Sequence, residues 1–195
     1  MLHVRQLSTQ EIKTIYDTHM QEAFPQSELR PYKNIAMLCA SGNYDCYGLF
    51  DGENLTAYAY FSKTNDRPYM LLDYYAVLRG MRGTGMGSRF FSLLRAQLQG
   101  QKCVLLEVES VESAENTEEK TTRERRIAFY TRNGCAMTRV KCLLYGVDFS
   151  IMAMPVEGPA PDDETVRQEL ENIYHVMFDD DLFQRVCHPY LRENA

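Results

Sequence analysis

The sequence predicts an α/β fold in which a mixed, mostly antiparallel central sheet carries helices on both faces. Runs of alternating apolar residues and amphipathic runs of helical period follow one another in the order β-α-α-β-β-β-α-β-α-β-β-α. A hairpin-rich first half leads into a strand–helix–strand–helix unit, which is typical of a sheet covered on both faces. With 195 residues, 45% of them apolar, the chain can bury the core of one domain.

Three local signals delimit the elements of the first half. Ser8 and Glu11 have the spacing of a capping box, which opens the first helix, and Pro25 ends that helix. Asp51-Gly52 is the strongest hairpin signal in the chain. The predicted elements are a strand at 2–7, helices at 8–24 and at about 28–41, and strands at 44–50 and 54–63.

The second half is predicted from the same periodicities. A strand at 69–78 is apolar on both faces, as expected for a central strand, and a glycine-rich segment leads from it into a helix that ends at Gly100. Thr121 and Glu124 form a second capping box, which is expected to open a helix reaching Asn133. The remaining predicted elements are a strand at 103–109, two strands within 135–154 and an amphipathic helix at 163–178.

Composition and charge argue against several classes of protein. The net charge of −6 disfavours non-specific nucleic-acid binding, which requires clustered basic side chains. The N-terminus lacks the features of a signal peptide and no run of about 18 apolar residues is present, so no membrane segment is expected. The six cysteines lack CxxC spacing and the four histidines are isolated. We therefore expect reduced thiols in a cytoplasmic protein, and no metal site.

The segment RGMRGTGMGS, residues 79–88, places glycines and arginines at the start of a helix. Helix N-termini present unpaired N–H groups and partial positive charge, and glycine leaves room for an anion, which favours phosphate binding. A Walker A loop would need a lysine before Ser88, and a Rossmann fingerprint would need glycine in place of that serine. The pattern R-x-x-G-x-G/A is matched by Arg82, Gly85 and Gly87. The alternative is an ordinary flexible loop between strand and helix.

Two motifs resemble, in the same order, those of the GCN5-related N-acetyltransferases, the GNAT superfamily. The R-x-x-G-x-G/A segment resembles motif A of that superfamily. RRIAFYTRNGC, residues 125–135, resembles motif B through Phe129, Tyr130 and Gly134. The strand LLEVE lies between the two motifs, and the resemblance extends over about residues 45–149.

Three positions depart from the motif B pattern. Arg123 stands where the family often has an asparagine that contacts the cofactor, Arg126 replaces the usual alanine and Cys135 the usual phenylalanine. The tail beyond about residue 155 lies outside the family core. The resemblance thus implies an acetyltransferase domain at 1–155, with a helical extension at 156–195 packed on the same domain.

The resemblance implies that acetyl-CoA is the co-substrate and that the sheet splays between its fourth and fifth strands to receive it. In the family, motif A holds the pyrophosphate, and backbone N–H groups at the end of the fourth strand face the thioester carbonyl. The residues expected to bind acetyl-CoA are Ala76, Val77, Leu78, Arg82, Gly83, Thr84, Gly85, Met86, Gly87 and Ser88.

Acetyl transfer to an amine requires a base for the ammonium proton and an acid for the departing thiolate. By resemblance Tyr130 is the candidate acid, a phenol of pKa near ~10; the alternative is that Tyr130 only packs in the core. Glu107 resembles the glutamate that serves as base in ribosomal-protein N-terminal acetyltransferases. Glu109 lies on the same strand face, where two carboxylates could repel and raise one pKa. Either could be the base, and a solvated sheet rim is the alternative for both.

The loop EAFPQSELRPY, residues 22–32, resembles the loop between the first two helices of many bacterial members. Glu22 and Phe24 of this loop, together with Glu109 on the strand at 103–109, are expected to contact the acceptor amine. Nearby acidic residues favour a cationic small molecule such as a polyamine, an aminoglycoside or an amino-acid derivative, and a peptide amine stays open.

The leading hypothesis is an acetyl-CoA-dependent N-acetyltransferase that moves an acetyl group to a primary amine by direct attack in a ternary complex. A non-catalytic CoA-binding regulatory module is the alternative, and retention of Tyr130 and Glu107 argues against it. The glycine spacing disfavours a nucleotide-dependent oxidoreductase. The last helix is expected either to pack on its own sheet or to form a homodimer contact.

Overall fold

An eight-stranded mixed sheet forms the centre of the computed structural model, which describes residues 1–192. The strands are β1 (Leu2–Gln6), β2 (Tyr44–Asp51), β3 (Asn54–Lys63), β4 (Tyr69–Val77), β5 (Cys103–Glu109), β6 (Ala136–Leu144), β7 (Val147–Pro155) and β8 (Cys187–Leu191). Their spatial order is β1-β2-β3-β4-β5-β7-β6-β8, and only β4 and β5 pair in parallel. The predicted fold class is confirmed.

Helices cover both faces of this sheet. They are α1 (Thr9–Ile15), α2 (Gln21–Ala23), α3 (Tyr32–Ala40), α4 (Met86–Gln97), α5 (Thr117–Arg132), α6 (Asp163–Met177) and α7 (Asp180–Val186), with a π-helical segment (Tyr16–Met20) joining α1 to α2. One face packs against α4 and α5. The opposite face packs against α1 to α3 at one end and α6 at the other.

The sheet opens between β4 and β5. Their parallel pairing covers only Tyr69–Leu72 and Cys103–Leu106. β4 continues to Val77, and β5 continues to Glu109 while remaining paired with β7 along its whole length. The unpaired ends of the two strands therefore bound a gap, as the predicted splay requires.

A β-bulge marks the point where the gap begins. The register between β3 and β4 shifts from Tyr60 opposite Tyr74 to Phe61 opposite Leu72, which leaves Asp73 as the extra residue. A bulge bends its strand and increases the local twist. The bend thus turns the end of β4 away from β5.

Two predicted helix starts are wrong. The second helix begins at Tyr32 rather than near 28, because Pro31 disfavours a helical conformation at the residue before it; a short 3₁₀ turn (Gln26–Glu28) precedes it. The Thr121–Glu124 capping box does not open α5. Asn116 caps that helix by accepting a hydrogen bond from the Glu119 N–H, and Thr121 lies one turn inside, bonded to the Thr117 carbonyl.

The C-terminal segment adds more than the predicted helix. The apolar stripe of α6, with Val166, Leu170 and Ile173 fully buried, packs on the chain's own sheet, so this stripe is not available as a dimer contact. Beyond it, α7 leads into β8, which pairs with β6 and was not predicted. Pro189 lowered the strand signal of that segment, and proline is tolerated there because β8 is an edge strand.

Three further observations bear on the expected classes. No helix in the described part of the chain is long and apolar enough to cross a membrane. Residues 1–192 contain no cluster of three histidine, cysteine or acidic side chains that could hold a metal ion. All six cysteines are free, and all but Cys39 are buried.

Candidate active site

The glycine-rich segment forms an open anion-binding geometry at the start of α4. Gly83 and Gly85 have φ of +77° and +78°, a conformation that side-chain-bearing residues rarely adopt. Gly85 is the N-cap of α4, and no side chain caps the helix. A Cβ built on either glycine would meet no atom within 4 Å. The start of α4 thus leaves its first N–H groups uncapped beside open space at Gly83 and Gly85, which fits the pyrophosphate that the resemblance implies.

Gly87 is glycine for a different reason. A Cβ at this position would lie 3.4 Å from the Phe129 ring and 3.5 Å from Val77 Cγ2. The Gly87 carbonyl accepts a hydrogen bond of 2.6 Å from the Tyr75 hydroxyl. The residue therefore closes the packing between α4, α5 and β4, and contributes only its N–H to the anion site.

The remaining side chains of the segment are mostly exposed. Arg82 donates from Nε to the Val77 carbonyl at 3.2 Å, which ties it to the end of β4. Thr84 donates its hydroxyl to the Met81 carbonyl at 2.7 Å, within the turn. Met86 is half-buried against the core, and Ser88 is exposed on the first turn of α4.

A cleft of about 220 Å³ joins this segment to the predicted acceptor side. It is lined by His19, Glu22, Ala23, Tyr58, Ala76, Val77, Leu78, Arg79 and Arg82. The structure therefore brings Glu22 next to the end of β4 and to both arginines of the glycine-rich segment. Glu22 is far from these residues in the sequence.

The direction of the backbone groups corrects one expectation. Leu78 donates its N–H to the Thr56 carbonyl at 2.9 Å, towards β3, so this N–H is not free for a thioester. Because residues of an antiparallel ladder alternate in the side they face, Ala76 also faces β3, and Val77 directs its N–H and carbonyl into the gap. Of the three predicted residues, only Val77 offers a backbone donor to the gap.

Glu107 lies on β5 just beyond the last residue paired with β4. It is half-buried, and the pKa of its carboxyl is raised to about 7. Burial is the largest cause; a hydrogen bond from the Tyr174 hydroxyl and the charge of Arg30 act to lower the pKa, and the charge of Asp73 acts to raise it. The pKa of the carboxyl therefore lies near neutral pH, where a general base is most effective. Glu107 is therefore not a solvated residue at the rim of the sheet, as the alternative had it.

Glu109 is engaged in ion pairs. Its two oxygens accept from Arg123 Nη2 at 3.1 Å and from Arg126 Nη1 at 3.4 Å. The expected pair of repelling carboxylates is thus not what raises the pKa of Glu107, since Asp73 is the acidic neighbour. The two arginines that depart from the motif B pattern hold the end of β5 against α5.

Tyr130 lies on the opposite face of the sheet. Its ring contacts Phe91 and Phe129 at centroid distances of 5.7 and 5.3 Å, and its neighbours belong to the core between the sheet and α4 and α5. Burial raises the pKa of its hydroxyl to about 12, partly offset by the charge of Arg126. Tyr130 is therefore protonated at neutral pH and can act only as a donor or acid. Its ring packs in the core, which is the alternative to the acid role, but its protonated hydroxyl is still compatible with that role.

The two candidate proton-transfer groups are separated by the sheet. Glu107 faces the side covered by α6, and Tyr130 faces the side covered by α4. No hydrogen bond joins them within residues 1–192. The gap between β4 and β5 connects the two sides, so a group bound in the gap would have a base on one face and an acid on the other.

The predicted acceptor loop lies at the edge of this region. Phe24 packs edge-on against Tyr74 of β4, with ring centroids 5.0 Å apart, so it holds the loop against the sheet. Tyr74 accepts from the Arg30 N–H and donates to the Glu28 carbonyl, both at 2.8 Å. Partial burial raises the pKa of Glu28, with Arg126 and Glu109 as its charged neighbours, which places the loop opposite α5.

Three residues of the region were missed from the sequence. Tyr174 of α6 donates its hydroxyl to Glu107, Arg30 pairs with Asp73 at 3.5 Å, and Asp73 also accepts from Tyr44. Asp73 interrupts an otherwise apolar central strand, and that break in pattern was a usable signal. Tyr174 continues an apolar stripe, and nothing local marked its hydroxyl as part of the site.

Comparisons with known proteins agree with this geometry. Residues 9–134 match the sequence profile of the Acetyltransferase (GNAT) family. A search of curated protein sequences found no significant match.

Solved structures share the fold at low sequence identity. The ribosomal-protein-S18-alanine N-acetyltransferase of Escherichia coli is 22% identical with a TM-score of 0.60, covering 82% of this chain and 96% of its own. A GNAT-family protein from Bacteroides thetaiotaomicron is 20% identical with a TM-score of 0.69, covering 89% and 98%. An aminoglycoside 6'-N-acetyltransferase in complex with coenzyme A is 15% identical with a TM-score of 0.59, covering 82% and 99%.

Proposed function

This chain belongs to the GNAT family of acetyltransferases and is an acetyl-CoA-dependent N-acetyltransferase, and we propose that it acetylates a primary amine by direct attack in a ternary complex. One observation carries the proposal. The gap between β4 and β5 lies beside an uncapped glycine-rich helix start, and it has a carboxyl of pKa about 7 on one face and a protonated tyrosine on the other.

The glycine-rich segment is the proposed binding site for the pyrophosphate. Gly83 and Gly85 leave the N–H groups of Met86, Gly87 and Ser88 accessible, and Arg82 adds positive charge next to them. Acetyl-CoA supplies the activated thioester. The Val77 N–H, directed into the gap, is the proposed donor to the thioester oxygen, where negative charge develops during attack.

Glu107 is the proposed general base. An alkylammonium has a pKa of about 10.4 and an α-amino group one of about 7.7–8.0. A carboxylate of pKa about 7 is matched within about one unit to an α-amino group, and lies more than about three units below an alkyl amine. The strength of this base therefore favours an amine of low pKa, such as a peptide or amino-acid α-amine.

Tyr130 is the proposed acid for the leaving thiolate. A thiol has a pKa of about 8.5, and a phenol at about 12 is a weaker acid by about 3.5 units. Complete proton transfer would therefore be uphill by about 5 kcal/mol. We infer that Tyr130 mainly stabilises the thiolate by donating a hydrogen bond, and that solvent completes the protonation.

The acceptor is proposed to carry positive charge beside the reacting amine. In the part of the chain that the structure describes, the carboxylates of Glu22 and Glu28 have no ion-pair or hydrogen-bond partner. Glu22 lines the cleft and Glu28 belongs to the adjacent 3₁₀ turn. Two free carboxylates, one in the cleft and one beside it, favour a cationic acceptor. The basic N-terminal segment of a peptide also has the low-pKa amine that Glu107 favours, whereas a polyamine-like molecule does not. Free thiols throughout the described chain support the proposal of a reducing, cytoplasmic location.

The test combines binding with turnover in one sample. Acetyl-CoA affinity is measured by calorimetry, followed by thiol release with alanyl peptides, spermidine, an aminoglycoside and free lysine. Binding with release on one amine class supports the proposal and identifies the class. Binding without release on any amine would favour the non-catalytic CoA-binding module, and absence of binding would refute the phosphate-site assignment.

A further inference from the structure

Helix α6 of the C-terminal segment reaches the candidate active site through one side chain. The family match ends at residue 134, whereas α6 spans Asp163–Met177. Its Tyr174 is fully buried between α6 and the sheet, in the cluster that includes Leu105 and Ile151. The hydroxyl of Tyr174 is hydrogen-bonded to Oε1 of Glu107. An element outside the matched region therefore contacts the proposed base directly.

We propose that Tyr174 is a positioning residue that fixes the carboxylate of Glu107 for proton abstraction, so that the C-terminal segment completes the active site. The inference rests on the proposed function of Glu107 as base. It assigns α6 a role in the reaction, in addition to covering the sheet.

The geometry of the contact suits this role. Desolvation holds the pKa of the Tyr174 phenol well above its usual range, so the hydroxyl remains protonated and acts as the donor. It engages only Oε1 of Glu107. Among residues 1–192 no donor contacts Oε2, and this oxygen is not among the atoms sealed from solvent without a partner. One oxygen is thus held and the other is left to accept a proton.

The Tyr174 ring is buried and packed against its neighbours. It stacks on Phe178 at a centroid distance of 5.9 Å, and Phe178 in turn carries the Arg30 guanidinium over its face at 5.6 Å. A buried ring held by its neighbours loses little freedom when it forms a hydrogen bond. The carboxylate is therefore oriented by a rigid donor, whereas a solvent molecule would have to be ordered for each turnover.

Several charged or titratable groups face Glu107 and Tyr174 from the surrounding elements. Asp73 on β4 raises the pKa of Glu107, and Arg30 from the loop before α3 lowers it. Cys142 on β6 and Cys187 on β8 lie on the Tyr174 side. The hydrogen bond with Cys142, together with burial, raises the pKa of the Cys187 thiol, so this thiol stays protonated. Tyr174 is the one group that donates a hydrogen bond to the carboxylate within the described residues. Removing that bond should raise the pKa of Glu107, because the bond favours the charged form.

The test compares Tyr174→Phe with Tyr69→Phe. Tyr69 belongs to the same buried cluster and has no hydrogen bond to Glu107, so it controls for loss of a hydroxyl in this region. The ionisation of Glu107 is followed by carbon NMR of labelled glutamate, assigned through Glu107→Gln. The rate of thiol release from acetyl-CoA is followed against pH with the amine selected by the panel above.

We expect Tyr174→Phe to raise the pKa of Glu107, and with it the acidic limb of the pH–rate profile, by about one to two units. Acetyl-CoA affinity should be unchanged, and Tyr69→Phe should behave as wild type. An unmoved pKa or an unmoved limb in Tyr174→Phe would overturn the proposal. If the limb persists in Glu107→Gln, the assignment of Glu107 as base fails, and this outcome is distinct from failure of the Tyr174 role.

A second variant covers the case in which Tyr174→Phe does not fold. Replacing Tyr174 by 3-fluorotyrosine keeps the ring and makes the phenol a stronger donor. The acidic limb should then move to lower pH, opposite in sign to Tyr174→Phe. A limb that stays in place with the fluorinated ring would also overturn the proposal.

Discussion

The phosphate-binding segment and the acid–base region differ in what builds them. Residues 79–88 form their site from backbone: positive φ at Gly83 and Gly85, and an uncapped helix start. The region around Glu107 is built from side chains of β4, β5, the loop before α3 and α6, which are brought together only by the fold.

This difference determines how each region responds to change. A backbone site depends on conformations that local residues permit, so one substitution within the segment can remove it. A side-chain site depends on burial and neighbours, so its chemistry can be altered from a distant element. The predictions below test these two dependences separately.

The largest expected effect is on turnover through Glu107. Glu107→Gln keeps the shape and removes the base, and general base catalysis contributes about 100-fold or more. We expect kcat/KM to fall by at least about 100-fold with acetyl-CoA affinity unchanged. Glu109→Gln is the matched control, because Glu109 is on the same strand face but is ion-paired with Arg123. A larger fall in kcat/KM for Glu109→Gln than for Glu107→Gln would mean that Glu109, and not Glu107, is the base.

The same carboxyl should affect stability in a pH-dependent manner. The pKa of Glu107 is raised from 4.5 to about 7 on folding, so the folded state keeps a proton that the unfolded state releases. Its contribution to the free energy of unfolding is therefore complete below about pH 4.5 and is lost as pH rises through about 7. The loss is at most about 3.4 kcal/mol.

Denaturant unfolding of wild type and Glu107→Gln at pH 5 and pH 8 measures this contribution. The free energy of unfolding of the variant, relative to that of wild type, should be higher at pH 8 than at pH 5, because glutamine has no charge to bury. An equal difference at both pH values would mean that Glu107 ionises normally, and the proposed base would lose its physical support.

Next in size is the backbone effect at Gly85. Gly85→Val forces a branched side chain into φ near +78°, which costs about 1–2 kcal/mol or more and displaces the N–H groups of α4. We expect acetyl-CoA affinity to fall about 10- to 30-fold with the fold retained, as measured by calorimetry and circular dichroism. Gly80→Ala is the control, since Gly80 has open space and ordinary φ. An equal loss of acetyl-CoA affinity in both variants would mean that any added side chain in the segment weakens binding, and that the positive φ of Gly85 is not the cause.

The two regions were not equally predictable from the sequence. The order of helices and strands along the chain as far as α6, the Ser8–Glu11 capping box and the glycine-rich segment depend on local patterns, and the structure contains them. The helix starts at Tyr32 and Thr117 differ from the predicted ones, because Pro31 delays the first helix and Asn116 caps the second one a turn earlier.

The missing part of the acid–base region has a different physical origin. Tyr174 occupies an apolar stripe, and its hydroxyl matters only because α6 docks over β5. The Val77 N–H points into the gap because of the bulge at Asp73 and the register of β4 with β3. Neither could be read locally, because both depend on which elements pack together.

The smallest expected effect concerns Tyr130, the candidate acid on α5, whose neighbour Phe129 packs against Gly87 of the phosphate segment. Tyr130→Phe keeps the ring contacts with Phe91 and Phe129 and removes only the hydroxyl. With a pKa of about 12, that hydroxyl stabilises the thiolate mainly as a hydrogen-bond donor, so kcat should fall about 10-fold while acetyl-CoA affinity stays unchanged. Rapid-quench kinetics with the amine found in the panel separates the chemical step from product release. If the chemical step is unaffected, Tyr130 serves only packing, and the departing thiolate is protonated by solvent without help from this face of the sheet.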